Sequence, residues 1–165
     1  MIDGLWQRLD ESEAAVVRRH MNEVPVRVGA LAEELGLRVF RSVLPPNVSG
    51  MIKPSDDEQG VYDIRINKFE SPERQRFTLA HEIAHFLLHK TDIRAGVIDN
   101  IMYRSQLTSR KEAEANRMAA DIVMPSAAVS AALKRAGGVV NDDTVDRLAA
   151  QFRVSVPAMK IRLGS

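Results

Sequence analysis

One stretch of the sequence, FTLAHEIAHFLLH at residues 77–89, limits the possible folds of this chain more than any other. Its apolar residues cover nearly the whole circumference of a helix, which predicts an α-helix buried in the core. Histidines at positions 81, 85 and 89 recur at four-residue steps, so they lie along one face of that helix. Polar side chains on a buried helix are costly unless partners compensate them. The stretch therefore predicts a central helix with a built-in polar site.

Within this stretch, His81, Glu82 and His85 form the pattern HExxH. Two imidazoles one helical turn apart can bind the same zinc ion, at about 2.0–2.1 Å each. Glu82 is rotated by roughly 100° from His81, which places its carboxylate beside the ion and outside the coordination sphere. A carboxylate in that position can take a proton from a water molecule at the metal. The pattern predicts one zinc ion per chain, with Glu82 as the catalytic residue.

Composition indicates the class of protein and its surroundings. The 165 residues are 45% hydrophobic and 27% charged, as is typical of one globular domain. The net charge of +1 gives no general attraction to nucleic acid or to an anionic membrane, so we expect neither as a partner. The lack of cysteine excludes disulfides and leaves histidine and carboxylate as metal ligands. The N-terminus has no apolar signal region and no apolar run could span a bilayer, so we expect a cytoplasmic protein.

The order of the predicted elements is that of an α+β fold. Alternating apolar residues predict two paired strands at 48–53 and 60–67, and β-type residues also fill 37–44. Ser71 and Pro72 are typical of a helix start and open the central helix. We expect the strands to form a small antiparallel sheet. A further strand is predicted at 98–103. The other helices are predicted at 10–21, 28–35, 108–123, 126–135, 143–152 and 156–163.

The domain organisation follows from the same elements. Residues 1–24 form a predicted N-terminal helical extension, and residues 25–165 form a single compact domain, because no linker is long enough to divide them. The last two helices, 143–152 and 156–163, form a helix–turn–helix-like pair.

A catalytic zinc site requires a third protein ligand and an open fourth position. His89 is a poor candidate, because three histidines on successive turns span about 12 Å of helix. We expect it at the helix end or in the pocket wall. Glu112 is the better candidate, since gluzincins pair such a glutamate with an Asp or Asn four residues later, here Asn116. That residue accepts a hydrogen bond from a ligand histidine. Glu114 faces about 200° away from Glu112 and fits a surface ion pair instead.

Four segments of the chain resemble the ImmA/IrrE family of zinc metallopeptidases, in the family's order. They are PVRVGALAEELGL, FTLAHEIAHFLLH, EAEANRMAADIVMP and LAAQFRVSVPAMKIRL, and the resemblance extends from about Pro25 to the C-terminus. The family usually has an aromatic residue at the position of Met118, and more often leucine at Ile122 and Val123. These differences concern the core and leave the metal-binding pattern intact.

The resemblance implies both a site and a function. It implies that His81, His85 and Glu112 hold one Zn²⁺ and that Glu82 is catalytic, in a zincin-type helical core. The implied activity is hydrolysis of a peptide bond in a protein. Several members of the family cleave a helix-turn-helix transcriptional repressor and thereby derepress mobile-element, stress or defence genes. We therefore expect a substrate of this kind.

Several points stay open at the level of sequence. Tyr103, Arg104 and His89 are alternative donors to the developing oxyanion. The strand at 60–67 is expected to form a sheet edge beside the cleft.

One competing function is that of a DNA-binding regulator that uses the C-terminal helix pair and its basic residues, Arg147, Arg153, Lys160 and Arg162. Another is zinc and partner binding without proteolysis. The intact Glu82 argues against the second, because a structural zinc site does not need that carboxylate.

Overall fold

The computed structural model describes residues 4–94 and 109–164. In this part of the chain, three strands form a sheet in the order β1–β3–β2. β1 spans Arg38–Ser42, β2 spans Gly50–Pro54 and β3 spans Tyr62–Asn67. β3 pairs in parallel with β1 and antiparallel with β2. The predicted pairing of segments 48–53 and 60–67 is confirmed, whereas the expectation of a purely antiparallel sheet is wrong.

The burial of the strands explains this order. β3 has Ile64 and Ile66 buried, so it gains most from a central position between two other strands. β1 is largely exposed, with Val39 and Phe40 both more than a third accessible to solvent. β3 is therefore the central strand, and the expectation that residues 60–67 form a sheet edge is wrong.

Helices supply the rest of the described chain and make the fold a mixed α+β arrangement. The helices are α1 Gly4–Gln7, α2 Glu11–His20, α3 Val28–Glu34, α4 Pro72–Leu88, α5 Lys90–Arg94, α6 Ser109–Val123, α7 Ser126–Arg135, α8 Asp142–Phe152 and α9 Val156–Leu163. The strand predicted at 98–103 lies outside the described residues. No helix among residues 4–94 and 109–164 is both long enough and apolar enough to cross a membrane.

α4 is the central helix of the fold. Its start follows the sequence prediction, because the Ser71 hydroxyl accepts a hydrogen bond from the backbone N–H of Arg74 and Pro72 occupies the first turn. From Thr78 to Leu87 every residue of the helix is buried. α4 packs most extensively against α6 and also contacts β2 and β3. This packing places α6 alongside the HExxH residues.

The N-terminal helices pack into the same core as the rest of the chain. Leu5 and Leu9 at α1, and Ala14 and Val17 on α2, are buried in one continuous cluster with the apolar residues of α4 and α6. The first helix thus lies close to the helix that carries Glu112.

Candidate metal centre

Three side chains from α4 and α6 converge on one point. The Nε2 atoms of His81 and His85 are 3.1 Å apart. Glu112 on α6 places one carboxylate oxygen 3.3 Å from Nε2 of His81 and the other 3.1 Å from Nε2 of His85. The α-helix sets the spacing of the two histidines, and the packing of α6 on α4 brings the carboxylate to them.

These distances match the size of a zinc site. Ligand atoms at about 2.0–2.1 Å from a tetrahedral ion are about 3.3–3.4 Å from one another. The three observed separations lie within a few tenths of an ångström of that value. Two neutral imidazoles and one carboxylate are also the ligand types that zinc accepts in catalytic sites. The residues present therefore fit a zinc ion, and His81, His85 and Glu112 are the group that could hold it.

The electrostatics of Glu112 suit a metal ligand. Burial alone would raise the pKa of its carboxyl, but the close contacts with the imidazoles of His81 and His85 outweigh burial, and the pKa lies well below its ordinary value. The carboxylate is therefore ionised throughout the physiological range, as ligation of a cation requires.

Glu82 lies beside this group in a cleft. Its side chain is buried, and the cleft, of about 470 Å³, is lined by α4, by α6 and by residues 47–50, which lead into β2. His81, Glu82 and Glu112 all face this space. A larger groove, of about 720 Å³, lies between α3, β1 and α4 and away from the HExxH residues. The arrangement of ionisable groups, and not volume, identifies the smaller cleft as the site.

The strand beside the cleft is β2, in place of the predicted β3. Ser49 and Gly50, at the start of β2, line the cleft, whereas β3 is covered on both sides by its neighbours in the sheet. The error has a simple cause: alternation identifies a half-buried strand but carries no information about its position within a sheet.

Asn116 is the residue expected to orient a ligand histidine. Its side chain is exposed at the rim of the cleft, and within the described chain it makes no hydrogen bond to either histidine. The Nδ1 atom of His85 instead lies 2.9 Å from Nδ1 of His89. The partner that orients His85 thus comes from α4's own C-terminal turn. A role for Asn116 in orienting a ligand histidine stays a prediction.

His89 lies at the C-terminal end of α4, as predicted, whereas Glu114 does not lie on the surface. His89 is buried, and its Nε2 lies 3.0 Å from a carboxylate oxygen of Glu114, so both ring nitrogens are engaged away from the cleft. Glu114 is buried as well, where a surface ion pair was expected, and its second oxygen accepts a hydrogen bond from Arg8 at 2.7 Å. The four-residue spacing of the three histidines was the available signal for this contact.

The surroundings of Glu114 and His89 shift the pKa values of both groups. The hydrogen bond from Arg8 and the contact with His89 together lower the pKa of Glu114 to about 2, although burial opposes them. Burial lowers the pKa of His89 below its ordinary value, against the opposing effect of Glu114. Glu114 is thus a carboxylate and His89 a neutral imidazole near neutral pH.

The two remaining candidates for the oxyanion, Tyr103 and Arg104, lie outside the described residues. Among the three candidates from sequence, only His89 can be placed, and the structure directs it toward Glu114 and not toward the cleft.

Comparison with known proteins supports a peptidase relationship. Over 97 residues the chain is 36% identical to the radiation response metalloprotease IrrE of Deinococcus radiodurans. The aligned region covers 56% of this chain and 30% of that protein. It is 37% identical over 89 residues to the protein of the same name from Deinococcus deserti, which covers 51% of this chain and 32% of the relative. The chain thus spans about a third of the length of these relatives.

A solved structure shares the fold across nearly the whole chain. It is a transcriptional regulator of Mycobacterium tuberculosis, with a TM-score of 0.60 and 16% identity, matched over 97% of this chain and 48% of the other. At this level of identity the similarity concerns the fold alone.

The family model described as the IrrE N-terminal-like domain, in peptidase family M78, matches residues 32–164. Since that match covers most of the sequence, the chain belongs to the ImmA/IrrE family of metallopeptidases.

Proposed function

We propose that this chain is a zinc-dependent endopeptidase domain in which His81, His85 and Glu112 bind the ion and Glu82 is the catalytic residue. The observation that supports this assignment most directly is the convergence of three ligand atoms at separations of 3.1–3.3 Å. The cleft beside them contains Glu82 and leaves space for a substrate. A site used only for structural zinc would normally be closed by a fourth protein ligand.

The roles of the side chains follow from their positions. When bound, a zinc ion in such a site polarises the carbonyl of a peptide bond and makes water more acidic. Glu82 accepts a proton from the attacking water and then donates it to the leaving amine. Its buried position beside His81 favours this role, because few solvent molecules compete for its carboxylate. The start of β2 lines the cleft, and we propose that an extended peptide substrate lies along this strand.

The proposed substrate is a helix-turn-helix transcriptional repressor. This rests on the resemblance to the ImmA/IrrE family, in which several members cleave such repressors and derepress mobile-element, stress or defence genes. A cytoplasmic location follows from a substrate that binds DNA. The chain spans only about a third of its curated relatives, so the proposal concerns the catalytic domain.

The alternative of direct DNA binding finds little support in the C-terminal helices. Arg162 donates a hydrogen bond to Asp121 at 3.1 Å, and Arg147 lies 3.7 Å from Asp143, so two of the four basic residues face acidic partners. The net charge of the whole chain is only +1. Nonspecific DNA binding depends on an excess of free cations.

A capture and cleavage experiment tests the proposed function. Tagged Glu82→Gln protein, loaded with zinc, is used to retain partners from a lysate, and each retained protein is then purified and incubated with wild-type chain. We expect at least one retained DNA-binding repressor to be cut into two fragments by the wild type and left intact by Glu82→Gln. If wild type with confirmed zinc content cuts none of the proteins retained, the peptidase assignment is wrong and non-catalytic binding is favoured.

A further inference from the structure

A continuous series of polar contacts leads from the candidate metal centre into the protein, from His85 through His89 and Glu114 to Arg8. Nδ1 of His85 lies 2.9 Å from Nδ1 of His89, and Nε2 of His89 lies 3.0 Å from Glu114. The other oxygen of Glu114 lies 2.7 Å from the guanidinium of Arg8, in the turn after α1. His85, His89 and Glu114 are all at least nine-tenths buried, so water does not compete for these contacts.

With a neutral His89, only one arrangement of protons satisfies all of these contacts. Arg8 can only donate, so Glu114 is an acceptor at that contact. An ionised Glu114 accepts from His89, which must then carry its proton on Nε2. A neutral His89 with that proton has a lone pair on Nδ1, so it accepts from the Nδ1–H of His85. The Nε2 atom of His85 is then unprotonated and faces His81 and Glu112 with a lone pair.

That state of His85 is the one that binds a metal. A histidine ligand binds through an unprotonated nitrogen, and the hydrogen bond at its other nitrogen fixes the tautomer and the ring orientation. The opposite tautomer would place a proton on Nε2, in the space that three ligand atoms share. A positively charged His89 would produce that unfavourable tautomer, but burial disfavours the charge.

We propose that His89 and Glu114 are positioning residues that hold His85 in its metal-binding tautomer, and that Arg8 anchors them from the N-terminal turn. This inference rests on the proposed function and deepens it. It assigns a role to His89 and Glu114, two buried polar residues that do not enter the cleft. It also gives the N-terminal segment a role in the site, because Arg8 contacts Glu114 and precedes the stretch that matches the family model.

Two readouts test the inference without any measurement of peptidase activity. The first is the affinity for zinc, measured by competition with a chromophoric chelator. The second is the tautomer of His85 in the zinc-free protein, measured by ¹⁵N NMR of the imidazole ring. The chain has only four histidines, which keeps the assignment tractable. A merely structural role for His89 would not change the tautomer of a different residue.

The variants separate loss of the hydrogen bond from loss of volume. His89→Phe fills the space but cannot accept from His85, and we expect zinc affinity about 10–100-fold below wild type. In the same variant the His85 signal should shift from the Nδ1–H form toward the Nε2–H form. His89→Gln can still accept at its amide oxygen and donate at its amide nitrogen, so it should retain affinity within a few-fold of wild type, as expected for a preserved hydrogen bond.

The control is the one histidine outside this region. His20 contacts Glu34 on the surface, so His20→Phe should alter neither zinc affinity nor the tautomer of His85. If His89→Phe does not fold, Glu114→Gln provides the second test. Its neutral amide weakens the acceptor for His89, and we expect the same direction of change with a smaller loss.

The outcomes distinguish this inference from the proposed function. Wild-type zinc affinity and an unchanged His85 tautomer in a folded His89→Phe variant would overturn the inference and leave the metallopeptidase assignment intact. If the wild type binds no zinc, the proposed function fails. The tautomer of His85 in the zinc-free protein then still shows whether His89 and Glu114 set it. A His85 in the Nε2–H form in wild-type protein would overturn it directly.

Discussion

The indole N–H of Trp6 donates a hydrogen bond to the Asp121 carboxylate over 3.0 Å, which joins α1 to α6 across 115 positions of sequence. The other oxygen of Asp121 accepts a hydrogen bond from Arg162 on α9 at 3.1 Å. One carboxylate therefore holds both the first and the last helix of the described chain against α6, the helix that carries Glu112 and Glu114.

Replacing this carboxylate should destabilise the fold. In Asp121→Ala the donors of Trp6 and Arg162 both lose their acceptor, and we expect the free energy of unfolding to fall by about 1–3 kcal/mol. Urea denaturation followed by the fluorescence of the single tryptophan measures the change. Asp146→Ala, at an exposed position of α8, is the control and should stay within about 0.5 kcal/mol of wild type. Equal stability of the two variants would contradict this role for Asp121.

The third metal ligand can be tested against its neighbour on the same helix. Glu112→Ala removes one of three converging ligand atoms, so we expect it to lose stoichiometric zinc binding on dialysis. Asn116→Ala lies one turn away at the rim of the cleft and should retain zinc, because Asn116 makes no hydrogen bond to either histidine among the described residues. Metal content by atomic emission measures both. A loss of about 10–100-fold in affinity for Asn116→Ala would restore it as an orienting residue.

The catalytic glutamate should be separable from metal binding. Glu82→Gln keeps the size of the side chain and leaves His81, His85 and Glu112 in place, so zinc content should equal that of the wild type. The amide cannot accept a proton, and the cleavage rate of a confirmed substrate should fall by about 10²–10⁴-fold. Glu73→Gln, at an exposed position in the first turn of α4, should leave the rate unchanged. Cleavage by Glu82→Gln at the wild-type rate would show that another group takes the proton.

Gly50 allows the strand beside the cleft to approach α4. A Cβ atom at this position would lie 2.6 Å from the Thr78 methyl group and 2.9 Å from the backbone oxygen of Arg65. We expect Gly50→Ala to lower the free energy of unfolding by about 1–3 kcal/mol, because β2 must shift away from the helix. Chemical denaturation measures this.

Two further variants identify the cause of that loss. Thr78→Ser removes the methyl group, so combined with Gly50→Ala it should recover part of the stability, while the contact with the Arg65 backbone persists. Gly29→Ala, on α3, meets no atom within 4 Å and should cause no loss. If Gly29→Ala and Gly50→Ala were equally stable, close approach at Gly50 would not limit side-chain size.

The sequence by itself determined the features that depend on local periodicity. Helix spacing alone places His81 and His85 on one face and Glu82 beside them, because the rise and rotation per residue are constant. The cap at Ser71, the existence of β2 and β3 and the start of α7 likewise follow from local residue preferences. Family membership could also be inferred, since the matching motifs occur in one order along the chain.

Only the tertiary structure decided what depends on contacts between distant segments. Strand alternation could not indicate that β3 is central. The charge of Glu114 suggested a surface position, but the side chain is buried and contacts Arg8 in the turn after α1. Asn116 has the favourable spacing for an orienting residue, yet the packing of α6 on α4 leaves it exposed and brings Glu114 to His89 instead. Spacing along a helix gives relative directions within that helix, whereas the rotation of one helix against another is set by side-chain packing across the whole interface.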